Sequence, residues 1–145
     1  MKAIDAIAGG AAPAGVYVLT SRAKVDSVRD AVEEQGWRFF HLDGTTIQDK
    51  LSFLAATRAA LELPSYTGHN WDAFEETINE LSWAPAPGYV VLYDNAANFA
   101  EAQPEQWDTA LSILQAASAN WAAAGTPMVV LLRNAGRSVP DLPRI

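Results

Sequence analysis

The sequence predicts an α/β fold in which a parallel sheet is wrapped by helices. Four short β-rich runs are mostly continuous rather than alternating in apolar character, which suits strands buried on both faces. Helical spacings lie between them, and strands that alternate with helices imply right-handed crossovers between parallel neighbours. The chain has 145 residues, enough to bury one core, and shows neither an internal repeat nor an interdomain linker.

In chain order, residues 1–14 are rich in Ala and Gly with Pro13, and read as a loose arm. The first strand is Gly15 to Thr20 (GVYVLT), followed by a helix whose Val25, Val28 and Val32 stand three and four apart. The second strand is Trp37 to Leu42. The connection from there to Gly88 holds two helices. The first carries Ile47, Leu51 and Leu54 as a stripe, with Leu61 one heptad on; the breaker from Leu63 to Gly68 then divides the pair. Trp83 to Gly88 closes the second helix, because Pro85 and Pro87 cannot continue it. The third strand is Gly88 to Tyr93, a helix follows with Trp107, Leu111, Leu114 and Trp121 as its stripe, and the last strand is Pro127 to Leu132.

The lack of cysteine excludes disulfide scaffolds, thiolate metal sites, iron–sulfur clusters and cysteine nucleophiles. Met1-Lys2-Ala3-Ile4-Asp5 places an acid where a signal peptide needs an apolar run, and no stretch reaches the length of a membrane span. A soluble, cytoplasmic protein is expected. The net charge of −7 is unevenly spread: residues 1–58 are balanced and residues 133–145 weakly basic. No Lys or Arg occurs between Arg58 and Arg133, where Glu62, Asp72, Glu75, Glu76, Glu80, Asp94, Glu101, Glu105 and Asp108 stand. A long stretch of one sign repels phosphate backbones, so nucleic acid is disfavoured and a basic protein partner favoured.

The run Tyr66-Thr67-Gly68-His69-Asn70-Trp71-Asp72-Ala73-Phe74-Glu75-Glu76-Thr77-Ile78-Asn79-Glu80-Leu81 concentrates that charge. At about 100° per residue, Trp71, Phe74, Ile78 and Leu81 share one side of a helix and face the core. Asp72, Glu75, Glu76, Asn79 and Glu80 share the other. Asn70 is placed to be the N-cap, and Asp72 and Glu75 complement the positive end of the helix dipole. Glu76 and Glu80 lie past the first turn, where like charges four apart repel by a few tenths of a kcal/mol. A repulsion with no return inside the fold points to a partner outside it.

This segment, LPSYTGHNWDAFEETINEL, resembles the barstar family of intracellular ribonuclease inhibitors. The signature Leu-Pro-x-Tyr-x-Gly-x-Asn-x-Asp-Ala is met by Leu63, Pro64, Tyr66, Gly68, Asn70, Asp72 and Ala73. The resemblance runs from about Trp37 to Arg133, in the order strand, helix, helix, strand, helix, strand. It implies a single barstar-like domain with a three- to four-stranded parallel sheet, residues 37–133 as its core and residues 15–36 as an added strand-helix unit that could supply a fourth strand.

The resemblance also implies a mechanism without catalysis: an acidic helix and its preceding loop enter a ribonuclease active site and set carboxylates where RNA phosphates would lie. By position, Tyr66 would pack on a catalytic imidazole, Gly68 and Asn70 would shape the loop, Asp72 would pair with a basic residue, and Glu76 would hold the place of the principal phosphate-mimicking acid. Thr67, His69, Glu75 and Glu80 complete the expected contact set; His69, exposed on the loop, would make binding sensitive to pH. The sequence departs from the family in having Glu76 where Asp is usual and Glu75 where an aromatic is common. It also lacks an acid on the last helix, where Asn120 is the nearest polar residue.

Two other chemistries compete. His41-x-Asp43 and His69-x-x-Asp72 are candidate metal or acid–base pairs, but two histidines without cysteine make a poor zinc set. No nucleophile elbow, phosphate-binding loop or dinucleotide fingerprint is present. Trp37, Trp71, Trp107 and Trp121 read as packing, Trp83 beside a loop as open to exposure, and Tyr66 equally as a turn aromatic over the core. The expectation is a non-enzymatic inhibitor of a basic, barnase-type ribonuclease, an immunity protein without cofactor or metal, bound to neither nucleic acid nor membrane and monomeric when free. The alternatives are a barstar-fold protein that binds another basic partner, and a small α/β enzyme that uses Asp72, Glu75 and Glu76.

Overall fold

The structure is a computed structural model, and it describes residues 1–63, 69–136, 139 and 141–145. The strands are β1 (Gly15–Val18), β2 (Arg38–Asp43), β3 (Tyr89–Asp94) and β4 (Met128–Leu132). All pair in parallel, in the order β1-β4-β3-β2. The expected α/β fold with a parallel sheet of up to four strands is therefore present, and β1 supplies the fourth strand. Every residue of β3 and β4 is buried, as continuous apolar runs covered on both faces require.

Side chains alternate between two cores. Tyr89, Val91 and Tyr93 of β3, with Met128, Val130 and Leu132 of β4, pack with α3 (Lys50–Ala60), α4 (Trp71–Ile78), α5 (Ala97–Ala102) and α6 (Pro104–Ala123). Val90, Leu92, Val129 and Leu131 point the other way, into a smaller core with Val28 and Val32 of α2 (Val25–Glu34) and Ile4 and Ile7 of α1 (Lys2–Ala8).

Four expectations need correction. The loose arm is helical over Lys2–Ala8, with Ile4 and Ile7 buried. Alanine is the best helix former, and the two isoleucines three apart give the short helix an anchor in the sheet. Leu51 is 70% exposed. The capping box of Asp49 and Ser52 starts α3 at Lys50, and that phase turns Phe53, Leu54 and Thr57 inward. Ile47 is buried in extended backbone before the helix begins. The single helix expected between β3 and β4 is two, α5 and α6, parted at Gln103-Pro104, and the stripe of Trp107, Leu111, Leu114 and Trp121 lies wholly in α6. Trp83 is half-buried and donates its indole N–H to the carbonyl of Leu61 at 2.9 Å.

Gly44, after β2, has no side-chain substitute: a Cβ there would meet the carbonyl of Asp94 at 2.1 Å. The turn thus brings the ends of β2 and β3 into backbone contact.

Candidate functional site

The acidic helix is placed by its inward face. Phe74 meets Phe53 edge-on with ring centroids 5.2 Å apart, and Trp71 lies 5.6 Å from the same ring. Phe74 and Ile78 are buried and Trp71 half-buried. Asn70 caps the helix, its side-chain oxygen accepting the amide of Ala73 at 2.8 Å. Along α6, Gln106 accepts the indole N–H of Trp71 at 2.9 Å, and Trp121 donates to the carbonyl of Ile78 at 2.9 Å. Both ends of α4 are therefore fastened to α6, leaving its opposite face to solvent.

That face carries Asp72, Glu75 and Glu76, all exposed. The helix is shorter than expected and stops at Ile78, so Glu80 lies in the turn beyond it. Asn79 is the reason. Its side chain donates to the carbonyl of Glu75 at 2.7 Å, competing with the helical ladder. Leu81 then leaves with φ +47°, its side chain 1% exposed, so core burial holds a left-handed backbone that leucine otherwise avoids. Glu80 nonetheless lines the same shallow depression as Asp72, Glu75, Glu76 and Asn79. None of the four carboxylates forms an ion pair with a described residue.

Around this face, Lys50 lies with its ammonium 5.8 Å from the centre of the Trp71 ring. His69 is exposed and accepts a hydrogen bond from the Arg58 guanidinium, 2.6 Å to Nε2. Asn120, which stands where the last helix lacks an acid, donates to the side-chain oxygen of Asn79 at 3.0 Å. The far end of the acidic face thus continues as amide groups rather than carboxylates. Of the expected contact residues, Asp72, Glu75, Glu76 and Glu80 line one depression, Asn70 caps the helix that carries the first three, and His69 lines a separate depression with Arg58; Tyr66, Thr67 and Gly68 lie outside the described residues.

The competing histidine is arranged differently. His41 Nε2 is 3.1 Å from Asp94 Oδ2, and Arg133 grips the same carboxylate with Nε at 2.6 Å and Nη2 at 3.1 Å. Asp43, its supposed partner, accepts from the hydroxyl and amide of Thr45, and those bonds hold its carboxyl below the usual range. The network of Asp94 and Arg133 was missed by residue spacing. Its signal was one charged residue closing each of two apolar strands.

A barstar family model, described as Barstar (barnase inhibitor), matches residues 37–133. A search of curated proteins gives no match. The matched span takes in three strands, the helices of the larger core and the whole acidic face, so the chain belongs to the barstar family.

Proposed function

We propose that this chain is an intracellular inhibitor of a basic, extracellular-type ribonuclease, active in the cytoplasm as an immunity protein for the cell that makes the enzyme. The observation that carries this reading is a rigidly seated helix whose exposed carboxylates have no cation of their own, in a chain of the barstar family. Asp72, Glu75, Glu76 and Glu80 meet the Arg, Lys and His side chains of the enzyme where RNA phosphates would bind. Tyr66, Thr67, Gly68, His69 and Asn70 cover the rest of its cleft. Such a mechanism is stoichiometric binding and requires neither turnover nor cofactor. The chain acts as one domain and a monomer, residues 15–36 being an addition to the family core. Among the described residues no helix is long and apolar enough to cross a membrane.

Titration of the purified chain into a small basic barnase-type ribonuclease, read by RNA cleavage, tests this directly. One-to-one inhibition, lost in Asp72→Ala/Glu76→Ala, is expected. Association should slow steeply with added salt, as steering between opposite charges requires. Absence of inhibition against such enzymes, together with capture of a different basic protein by the intact acidic face, would move the site to another partner. RNA cleavage or other turnover by the chain alone would return the carboxylates to catalysis.

A further inference from the structure

The acidic face does not account for a cleft of about 850 Å³ that lies at the carboxyl ends of β1, β4 and β3. Its walls are the loop from Leu19 to Val25, the residues after β4, and the C-terminal tail. The loop leaving β1 turns toward α2 and the smaller core, whereas the chain leaving β3 turns toward α5 and the larger one. A crevice where connections part to opposite faces of a parallel sheet is where such sheets take ligands. The volume also falls in the range of small-molecule sites.

The electrostatics of the cleft run against those of the whole chain. Arg22, Lys24 and Arg144 line it, all exposed and none in an ion pair with a described residue. Its one carboxylate, Asp94, is already matched by Arg133 and His41. No acid of α4 lines it. The cations are also held in place by the backbone. Arg133 donates from Nη1 to the carbonyl of Ala23 at 2.7 Å and to that of Ser21 at 3.2 Å, which ties down the loop carrying Arg22 and Lys24. The tail carrying Arg144 is laced to the edge of β1, with Val18 N–H donating to Pro143 at 2.8 Å and Ile145 N–H donating to Val18 at 2.9 Å. Val18, Val25 and Ala135 supply apolar wall beside the charges.

We infer that this cleft binds a small phosphomonoester, its dianionic phosphate held by Arg22, Lys24 and Arg144 and its organic part laid on the apolar wall. Two anchored loops that present three unmatched cations suit a doubly charged group better than a singly charged carboxylate. Preorganisation lowers the cost of gathering them. The site shares no residue with the acidic depression.

Phenyl phosphate titrated into the isotopically labelled full chain, followed by two-dimensional amide NMR, tests the assignment. Saturable shifts confined to residues 19–25, 133–136 and 144 are expected. Arg22→Ala and Lys24→Ala should each weaken binding about fivefold, the loss of roughly one exposed charge contact. Their spectra elsewhere should match the parent, because neither side chain holds the fold together. Benzoate, with the same ring and one charge, should bind more weakly by a similar factor. Shifts that never saturate or that spread over the surface, variants that titrate like the parent, or benzoate binding as tightly as phenyl phosphate would each overturn the proposal.

Discussion

Asp94, at the end of β3, is 9% exposed and is answered on both oxygens, by Arg133 on one side and by Arg133 and His41 on the other. Asp72, Glu75, Glu76 and Glu80 are exposed and have no ion pair among the described residues. One residue chemistry is thus used in two ways, and desolvation decides which. A carboxylate withdrawn from water costs several kcal/mol unless cations and hydrogen bonds replace the lost solvation, so interior charge must be matched within the chain. A carboxylate in water loses little by standing alone. Unmatched charge can therefore be kept only at the surface, and there it is available to something else.

The strongest way to break this contrast is to remove the interior charge. Asp94→Ala leaves the half-buried Arg133 guanidinium without its carboxylate, and a loss of about 3 kcal/mol or more in chemical denaturation is expected. Asp94→Ala/Arg133→Met should regain part of it, because an unmatched cation is then no longer buried. A loss under about 1 kcal/mol for Asp94→Ala would mean that solvent, not Arg133, satisfies Asp94.

The exterior counterpart should invert the pattern. Glu76→Ala is expected to change stability by less than about 0.5 kcal/mol, since surface substitutions away from packing contacts do little. Its partner should dissociate at least about 30-fold more readily, the equivalent of about 2 kcal/mol that marks a binding hot spot. Parallel losses of melting temperature and affinity would show that the side chain serves the fold instead.

Asn70→Ala tests the join between seat and face. It removes the cap of α4 and should cost about 1 kcal/mol of stability. Because the helix frays from the end that bears Asp72, affinity for the proposed ribonuclease partner should fall as well, by less than in Glu76→Ala. Unchanged affinity would place the contact nearer the far end of the helix.

The smallest effect sharpens the interior rule from its exception. The hydroxyl of Tyr93 is buried with no hydrogen-bond partner among the described residues, and burial pushes its ionisation well above the ordinary value of 10.0. A group whose folded pKa is raised contributes stability that is present below the unfolded pKa and lost as pH rises through it toward the folded one. Stability should therefore decline above pH 10.0, the ordinary tyrosine value. Tyr93→Phe should flatten part of that decline and be neutral or stabilising by up to about 1 kcal/mol at neutral pH. Tyr17 and Tyr89, whose pKa values burial also raises, leave a residual slope. A destabilised Tyr93→Phe at neutral pH would show that the hydroxyl has a hydrogen bond in solution.

Residues whose role depends on near neighbours were readable from the sequence. The four strands declared themselves as apolar runs, and their observed bounds differ from the expected ones by no more than two residues at any end. The inward set of α4 and its cap by Asn70 followed from spacing alone, because a helix repeats every few residues and its first amides need an acceptor. The resemblance to the barstar family rested on consecutive residues for the same reason. Composition misled where tertiary burial rescues a weak local signal. Alanine and glycine at the N-terminus looked loose until Ile4 and Ile7 found the sheet, and Leu51 looked internal until the cap at Asp49 set the phase of α3.

By itself, then, the sequence determined the four strands and the helices α2, α3, α4 and α6, which side of α4 faces water, and where negative charge accumulates. Only the tertiary structure decided the strand order, the division of helices between two faces, and the meeting of Asp94 with Arg133 and His41. The reason is one of range. Periodicity and capping act over a few residues and are written in their neighbours, whereas Asp94, Arg133 and the loop at Ala23 are brought together by a sheet in which β4 lies between β1 and β3, strands far apart in the chain.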